Sequence, residues 1–205
     1  MMTNSLDIAR RIAQLYYPLS NESLAAFADI LVCRKYKKGV RILDEGEVCK
    51  SMLFIEKGMT RQFYFKYGKD MTEHIGYENG IIICLESYFM QEPTNLVVEA
   101  LEPVVVWEIP KTGIDYLSES YKDIGILYRK FMEVSLIISQ QKADTLRFES
   151  AQERYAKLLK QHPEILKRAP LLYIASLLQM SPETLSRVRS IKAQSGNPPP
   201  FNQNS

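Results

Sequence analysis

Histidine and cysteine are scarce in this 205-residue chain, with two of the first and three of the second. The cysteines, Cys33, Cys49 and Cys84, are odd in number and far apart in sequence, without the paired spacing that frames a zinc site or a disulfide scaffold. Reduced thiols of a cytoplasmic protein are the default reading. His74 and His162 do not form the clustered ligand set that a metal-dependent barrel enzyme needs, and no nucleophile triad can be assembled. Neither an enzyme nor a resident cofactor or metal is expected. No apolar run approaches the roughly 20 residues of a membrane span, and the opening MMTNSLDIARRIAQLYYPLS lacks the continuous apolar core of a signal peptide. The net charge is only +2, so the chain as a whole is no polycation. Basic residues are also missing locally: between Lys69 and Lys111 there is no Lys or Arg, whereas Asp70, Glu73, Glu78, Glu86, Glu92, Glu99, Glu102 and Glu108 are all acidic.

What is present falls into three periods. Leu6 to Tyr17 has helical spacing, and Ser20 is placed to cap a second helix carrying Leu24, Phe27, Ile30 and Leu31. From Arg34 to about Lys111, glycines 39, 46, 58, 68 and 80 punctuate segments rich in Val, Ile, Phe and Tyr, such as MLFIEKG, RQFYFKYG and NLVVEALEPVVVWEI. Short strands at that spacing predict an antiparallel barrel or a jelly-roll-like roll, and not a parallel sheet. The basic cluster around Lys35 reads as a solvated edge. From Tyr116 the helical period returns, with Leu127, Phe131, Val134, Ile138, Gln141, Thr145 and Phe148 at alternating steps of four and three, the seam of a coiled coil. Leu127, Phe131, Val134 and Ile138 are the expected dimer seam. Leu136 and Ile137 lie off it, so one face of the helix is expected to meet a partner and another the roll.

The last organised stretch, Leu171 to Lys192, reads as two short helices. Pro170 opens the first, with Ile174, Leu177 and Leu178 as its apolar stripe. Ser181-Pro182-Glu183 is a second start signal, a capping hydroxyl followed by proline at the first helical position and an acid at the positive helix end. Leu185, Val188 and Ile191 are expected to face inward, leaving Glu183, Ser186, Arg187 and Ser190 outward with Arg189 at the margin. The pattern fits a helix-turn-helix; an ordinary helical hairpin with a solvated outer face shares it. The region is locally basic, as seven Lys or Arg residues between Lys157 and Lys192 face only Glu164 and Glu183. Residues 193–205, with three consecutive prolines, read as a disordered tail, and no strand-forming wing follows.

Taken in this order, and most specifically in KKGVRILDEGE, LFIEKG and YIASLLQMSPETLSRVR, the chain resembles the cyclic-AMP receptor and fumarate-nitrate reduction (Crp/Fnr) regulator family. The resemblance implies an α+β protein with four parts. These are N-terminal helices with a cyclic-nucleotide-binding-like sensor roll over 1–115, a long dimerisation helix over 116–150, a small all-α helix-turn-helix domain over 151–192, and the tail. It also implies a homodimer that reads a near-palindromic site in double-stranded DNA, with RNA polymerase and an unknown small-molecule effector as the further partners it admits. Carried over residue by residue, Glu183 and Arg187, with Ser186 beside them, are the base-reading candidates; Ser181, Thr184, Arg189 and Lys192 are better placed for phosphates. A third base-reading position of the familiar activator holds Pro182 here, so its operator is not assumed. Gln179 stands where many helix-turn-helix turns have glycine.

The family's nucleotide-binding pairs map to Ile83, Cys84 and the following Leu85 and Glu86, and to Thr94 and Asn95. These six are the candidate ligand pocket, yet neither the Gly-Glu nor the Arg-Ser pair is present. A buried phosphodiester there would lack a counter-charge, which only a basic residue from elsewhere, such as Arg61, would supply; cyclic AMP is not expected to bind. The rival reading is a ligand-sensing or protein-interaction module of the same fold with a vestigial helix-turn-helix.

Overall fold

The structure, a computed structural model, describes residues 4–194, with side chains described through Ile191. It is α+β. Helices α1 (Ser5–Tyr16) and α2 (Asn21–Ile30) begin at side-chain caps: Asn4 accepts from the Asp7 amide, and Ser20 from the Ser23 amide. Eight strands follow: β1 (Val32–Tyr36), β2 (Arg41–Leu43), β3 (Ser51–Lys57), β4 (Thr60–Lys66), β5 (Lys69–Gly76), β6 (Ile81–Ile82), β7 (Val97–Ala100) and β8 (Val104–Pro110). A short helix, α3 (Leu85–Met90), interrupts them. They form two antiparallel four-stranded sheets in the orders β1-β8-β3-β6 and β2-β7-β4-β5. β1, with Arg34 and Lys35, is the solvated edge that its basic sequence predicts.

The chain crosses from one sheet to the other at Gly58. Its φ of +95° is in the left-handed region, and an added Cβ would lie 2.6 Å from the Pro103 carbonyl oxygen. Only glycine suits that crossing without displacement of β8. Its amide donates to Glu78 Oε1 at 2.7 Å.

Met52, Phe54 and Ile55 of β3 are wholly buried, because the first sheet is covered on its outer face by helices. Ile8, Ile12 and Phe27 pack there, joined by Ile114 and Leu117 of α4 (Lys111–Ser120) and by Ile124, Leu127 and Phe131 of α5 (Lys122–Phe148). Two expectations are thereby corrected. The helix expected from Tyr116 is two helices broken at Tyr121, with Tyr116 in α4. Leu127 and Phe131 are not at an outer seam but are 0 % and 1 % exposed in the protomer's own core. Val134 and Ile138, lower on the same stripe, line a cleft within the protomer. Val134 and Ile138 are nonetheless exposed, at 38 % and 46 %, and Leu136 and Ile137, expected to face the roll, are more exposed still, at 70 % and 54 %.

Helices α6 (Ala151–Gln161), α7 (Pro163–Arg168), α8 (Leu171–Leu177) and α9 (Pro182–Gln194) complete the chain. In the stretch Glu153 to Leu166 the helix breaks at His162, and Pro163, whose ring cannot continue α6, starts α7. A Ser150–Glu153 capping box opens α6. α9 continues two residues into the stretch assigned to the tail; the rest of that tail lies outside the described residues.

If Phe131 belongs to the protomer core, Phe131→Ala should cost about 3–5 kcal/mol. Urea unfolding measures this, and a loss below about 1 kcal/mol would place Phe131 elsewhere.

Candidate nucleic-acid interface and sensor cavity

α8, the turn and α9 form a closed local unit. The last turn of α8 ends in paired bonds, Met180 N to Ala175 O at 3.0 Å and Gln179 N to Ser176 O at 3.0 Å, with Gln179 at φ +49°. This is a Schellman closure with glutamine at its left-handed position, which explains why glycine is common there. Arg154 of α6 braces the turn by donating to Leu178 O at 2.9 Å and Glu149 O at 2.8 Å. Ser181 then caps α9, its Oγ accepting from the Thr184 amide at 3.2 Å.

Leu185 and Val188 are buried against Tyr155, Leu158, Ile174, Ala175 and Leu178. They hold the opposite stripe outward: Ser181, Glu183, Ser186, Arg187 and Ser190 are exposed, and Thr184 and Arg189 are half-buried. The base-reading candidates Glu183, Ser186 and Arg187 therefore share one open face. Arg187 Nη2 donates to Thr184 Oγ1 at 3.3 Å, and Arg189 lies against the Tyr155 phenol. Ile191 departs from expectation, since it is 52 % exposed where an inward position was read. The side chain of Lys192 lies outside those described.

The local basicity is partly consumed within the protein. Lys157 pairs with Glu149 at 2.8 Å and Lys167 with Glu164 at 2.8 Å. Arg168 turns to the roll, pairing with Glu78 at 2.7 Å and with Glu102. Burial alone would raise Glu78, but the Arg168 guanidinium and the Gly58 amide outweigh it and bring Glu78 down to about 2.

Three more contacts dock the C-terminal helices on the roll. Ser176 Oγ of α8 accepts from the Thr72 amide of β5 at 2.8 Å. Lys142 of α5 pairs with Glu73. Arg61 of β4, 1 % exposed, lies between two rings, with its Cζ 4.1 Å from the Phe63 centroid and 3.7 Å from that of Tyr173 in α8. Its charge faces Asp70 at 2.8 Å and Glu99 at 3.5 Å. No local pattern marked these contacts of Arg61, Arg154, Arg168 and Tyr173, because the partners that join separate elements, Tyr173 for Arg61, Leu178 for Arg154 and Glu78 for Arg168, are distant in sequence.

Inside the roll is a cavity of about 520 Å³ lined by Ile42, Leu43, Val48, Cys49, Leu53 and Ile82 among others. Of the six expected pocket residues it takes in only Ile83 and Cys84. Leu85 and Glu86 belong to α3 and Glu86 is exposed; Asn95 is exposed as well, and Thr94 is buried with its Oγ1 accepting from the Leu96 amide. The correction has a geometric cause: α3 turns its first residues away from the space that Cys84 faces. The charged lining residues are Glu47, Glu108 and the exposed Lys50, a cation that a count beginning at Lys69 misses. Arg61 is not among the lining residues. A second cleft, about 420 Å³, lies between β5, α5 and the C-terminal helices and contains His74 and His162. Burial, with Lys142 and His162 nearby, pushes His74 down to about 4, so it is neutral near pH 7.

Among the described residues no group of three or more His, Cys, Asp or Glu side chains is placed to hold a metal ion, and no helix is long and apolar enough to cross a membrane.

Residues 33–121 match the family model of the cyclic nucleotide-binding domain. No curated protein sequence matches the chain. Among solved structures, FixK2 from Bradyrhizobium japonicum is 18% identical, with 82% of this chain and 86% of that one covered at a TM-score of 0.69. A transcriptional regulator of the Crp/Fnr family from Eubacterium rectale is 18% identical, covering 87% and 85% at 0.64. The c-di-GMP responsive global regulator CLP from Xanthomonas campestris is 16% identical, covering 86% and 93% at 0.64. At these identities the likeness is one of fold.

The Glu78 carboxyl gives a pH test of the docking. Its folded pKa lies below the ordinary value of 4.5, so its contribution is complete above about pH 4.5 and is lost as pH falls toward about 2. Cleavage of the 149–151 segment by pepsin should therefore accelerate across that interval in the wild type and much less in Glu78→Gln; equal profiles would contradict the tie.

Proposed function

We propose that this chain, which has the fold of the Crp/Fnr regulators, is a sequence-specific DNA-binding transcriptional regulator of that type. It acts in the cytoplasm as a homodimer, reading a near-palindromic operator through α9 without control by cyclic AMP. The observation that carries the reading is the α9 face, where Glu183, Ser186 and Arg187 are exposed together on a helix that Leu185 and Val188 anchor from behind. Arginine binds guanine O6 and N7 in a bidentate way, and glutamate accepts from cytosine N4. Ser181, Thr184, Arg189 and Lys192 would take phosphates, which set register. RNA polymerase is the downstream partner.

Independence from cyclic AMP rests on charge. The roll cavity offers a cyclic phosphate two carboxylates and one rim lysine, and Arg61 is committed to Asp70, Glu99 and two rings. An effector of the roll would be a small neutral or cationic molecule.

The dimer face is the outer stripe of α5. Ile126, Arg129, Glu133, Leu136, Gln140, Ala143 and Arg147 recur there at steps of three and four, with Leu136 the most exposed apolar residue among them. Leu136→Asp is expected to shift equilibrium sedimentation to the monomer and to abolish tight operator binding; an unchanged dimer would remove this face from the interface.

Arg187→Ala should cost about 1–3 kcal/mol in operator binding and relax preference at one base pair per half-site. Binding competitions over single-base variants of the site measure both. Full retention of sequence preference would sink the base-reading role and favour the vestigial module.

A further inference from the structure

Two of the three thiols, 35 positions apart in sequence, meet in the folded roll. Cys49 lies between the Val48–Pro93 bridge and β3, and Cys84 immediately precedes α3. Their side chains are 5 % and 1 % exposed and hydrogen-bond to one another. The surroundings fix both. The Cys49 amide donates to Ser87 Oγ at 2.9 Å, and Gln91 Nε2 donates to the Cys49 carbonyl at 3.3 Å, which sews the Cys49 segment to α3. Gln62 Nε2 donates to Cys84 Sγ at 3.1 Å. Both cysteines also line the roll cavity of about 520 Å³, so a small solute reaches sulfur atoms that a protein or a bulky thiol reagent does not.

We propose that Cys49 and Cys84 are a redox-active dithiol, oxidised by a small peroxide to an intramolecular disulfide inside the roll. In the resting pair the Cys49 thiol reaches the Ser51 carbonyl oxygen at 3.4 Å, with Cys84 against its sulfur. Cys84 donates to Cys49, which lowers Cys49 to about 7 against the opposing effect of burial, while Cys84 holds its own proton more tightly. Ionised Cys49 is the attacking group. Its sulfur displaces hydroxide from hydrogen peroxide: the S–O bond forms, the O–O bond breaks, and the hydroxide leaves as water after taking a proton. Cys84 sulfur then attacks the Cys49 sulfenic acid. The S–S bond forms, the S–O bond breaks, and the hydroxyl departs as a second water with the Cys84 proton. Two thiols are oxidised and one peroxide is reduced to two waters. A soluble dithiol reverses the step by exchange. Cys33, exposed on edge strand β1, is a built-in control.

The test uses the full chain, with equimolar hydrogen peroxide and non-reducing peptide mapping by mass spectrometry. The expected product is a monomeric species lighter by two hydrogens, its cross-linked peptides containing Cys49 and Cys84, with the free-thiol count falling from three to one. The rate should rise as pH rises through about 7, set by Cys49. Cys33→Ser should keep the cross-link. Cys84→Ser should instead leave a sulfenic acid at Cys49 that dimedone traps. Three surviving thiols, or oxidation confined to Cys33, would overturn the proposal. The wild-type measurement decides the matter even where a variant fails to fold.

Discussion

A guanidinium buried between two aromatic rings joins the halves of this protein. Removing a cation from water costs several kcal/mol unless its charge and its faces are both matched. Asp70 and Glu99 match the charge of Arg61 and Phe63 covers one face, all from the roll. The second face is covered by Tyr173, which arrives only when α8 docks. Both faces of the buried guanidinium are therefore covered only with the C-terminal helices in place. Arg168 and Ser176 extend the same contact with partners of their own, Glu78 with Glu102 and the Thr72 amide. Met59 and Ile75 of the roll complete the apolar cluster of the C-terminal helices.

This docking leaves α9 free on its far side. The inward residues Leu185 and Val188 are spent on α6 and α8, and the polar stripe meets nothing else among the described residues of the protomer. A face of Glu, Ser and Arg needs no internal partner to be stable, and so it is available to one outside. The long helix divides its faces in the same way, one to the sheet and its helices, the other to solvent.

Local chemistry was well legible in the sequence. Ser20, Ser181 and Pro182 mark helix starts because capping is an interaction within three residues, and the strand segments around Met52, Arg61 and Val104 follow from β-branched and aromatic runs. The side of α5 that faces the roll was not legible. Leu127, Phe131, Val134 and Ile138 satisfy a heptad whether they meet a second chain or their own sheet, and nothing in the spacing distinguishes the two. The ligand pocket was placed only in part for a related reason: the resemblance located Ile83 and Cys84, but the turn into α3 decides which of their neighbours face inward. Arg61, Tyr173 and the Cys49–Cys84 pair depend on contacts across tens of residues, which no periodicity records.

The central claim, a dimeric reader of DNA through α9, is tested most directly by enrichment of random duplex DNA with the purified full chain at moderate salt and with no nucleotide added. The account predicts an enriched inverted repeat whose half-site centres lie about 34 Å apart, one helical turn. Duplex recovered without any shared sequence, from a protein that is dimeric in solution, would contradict it.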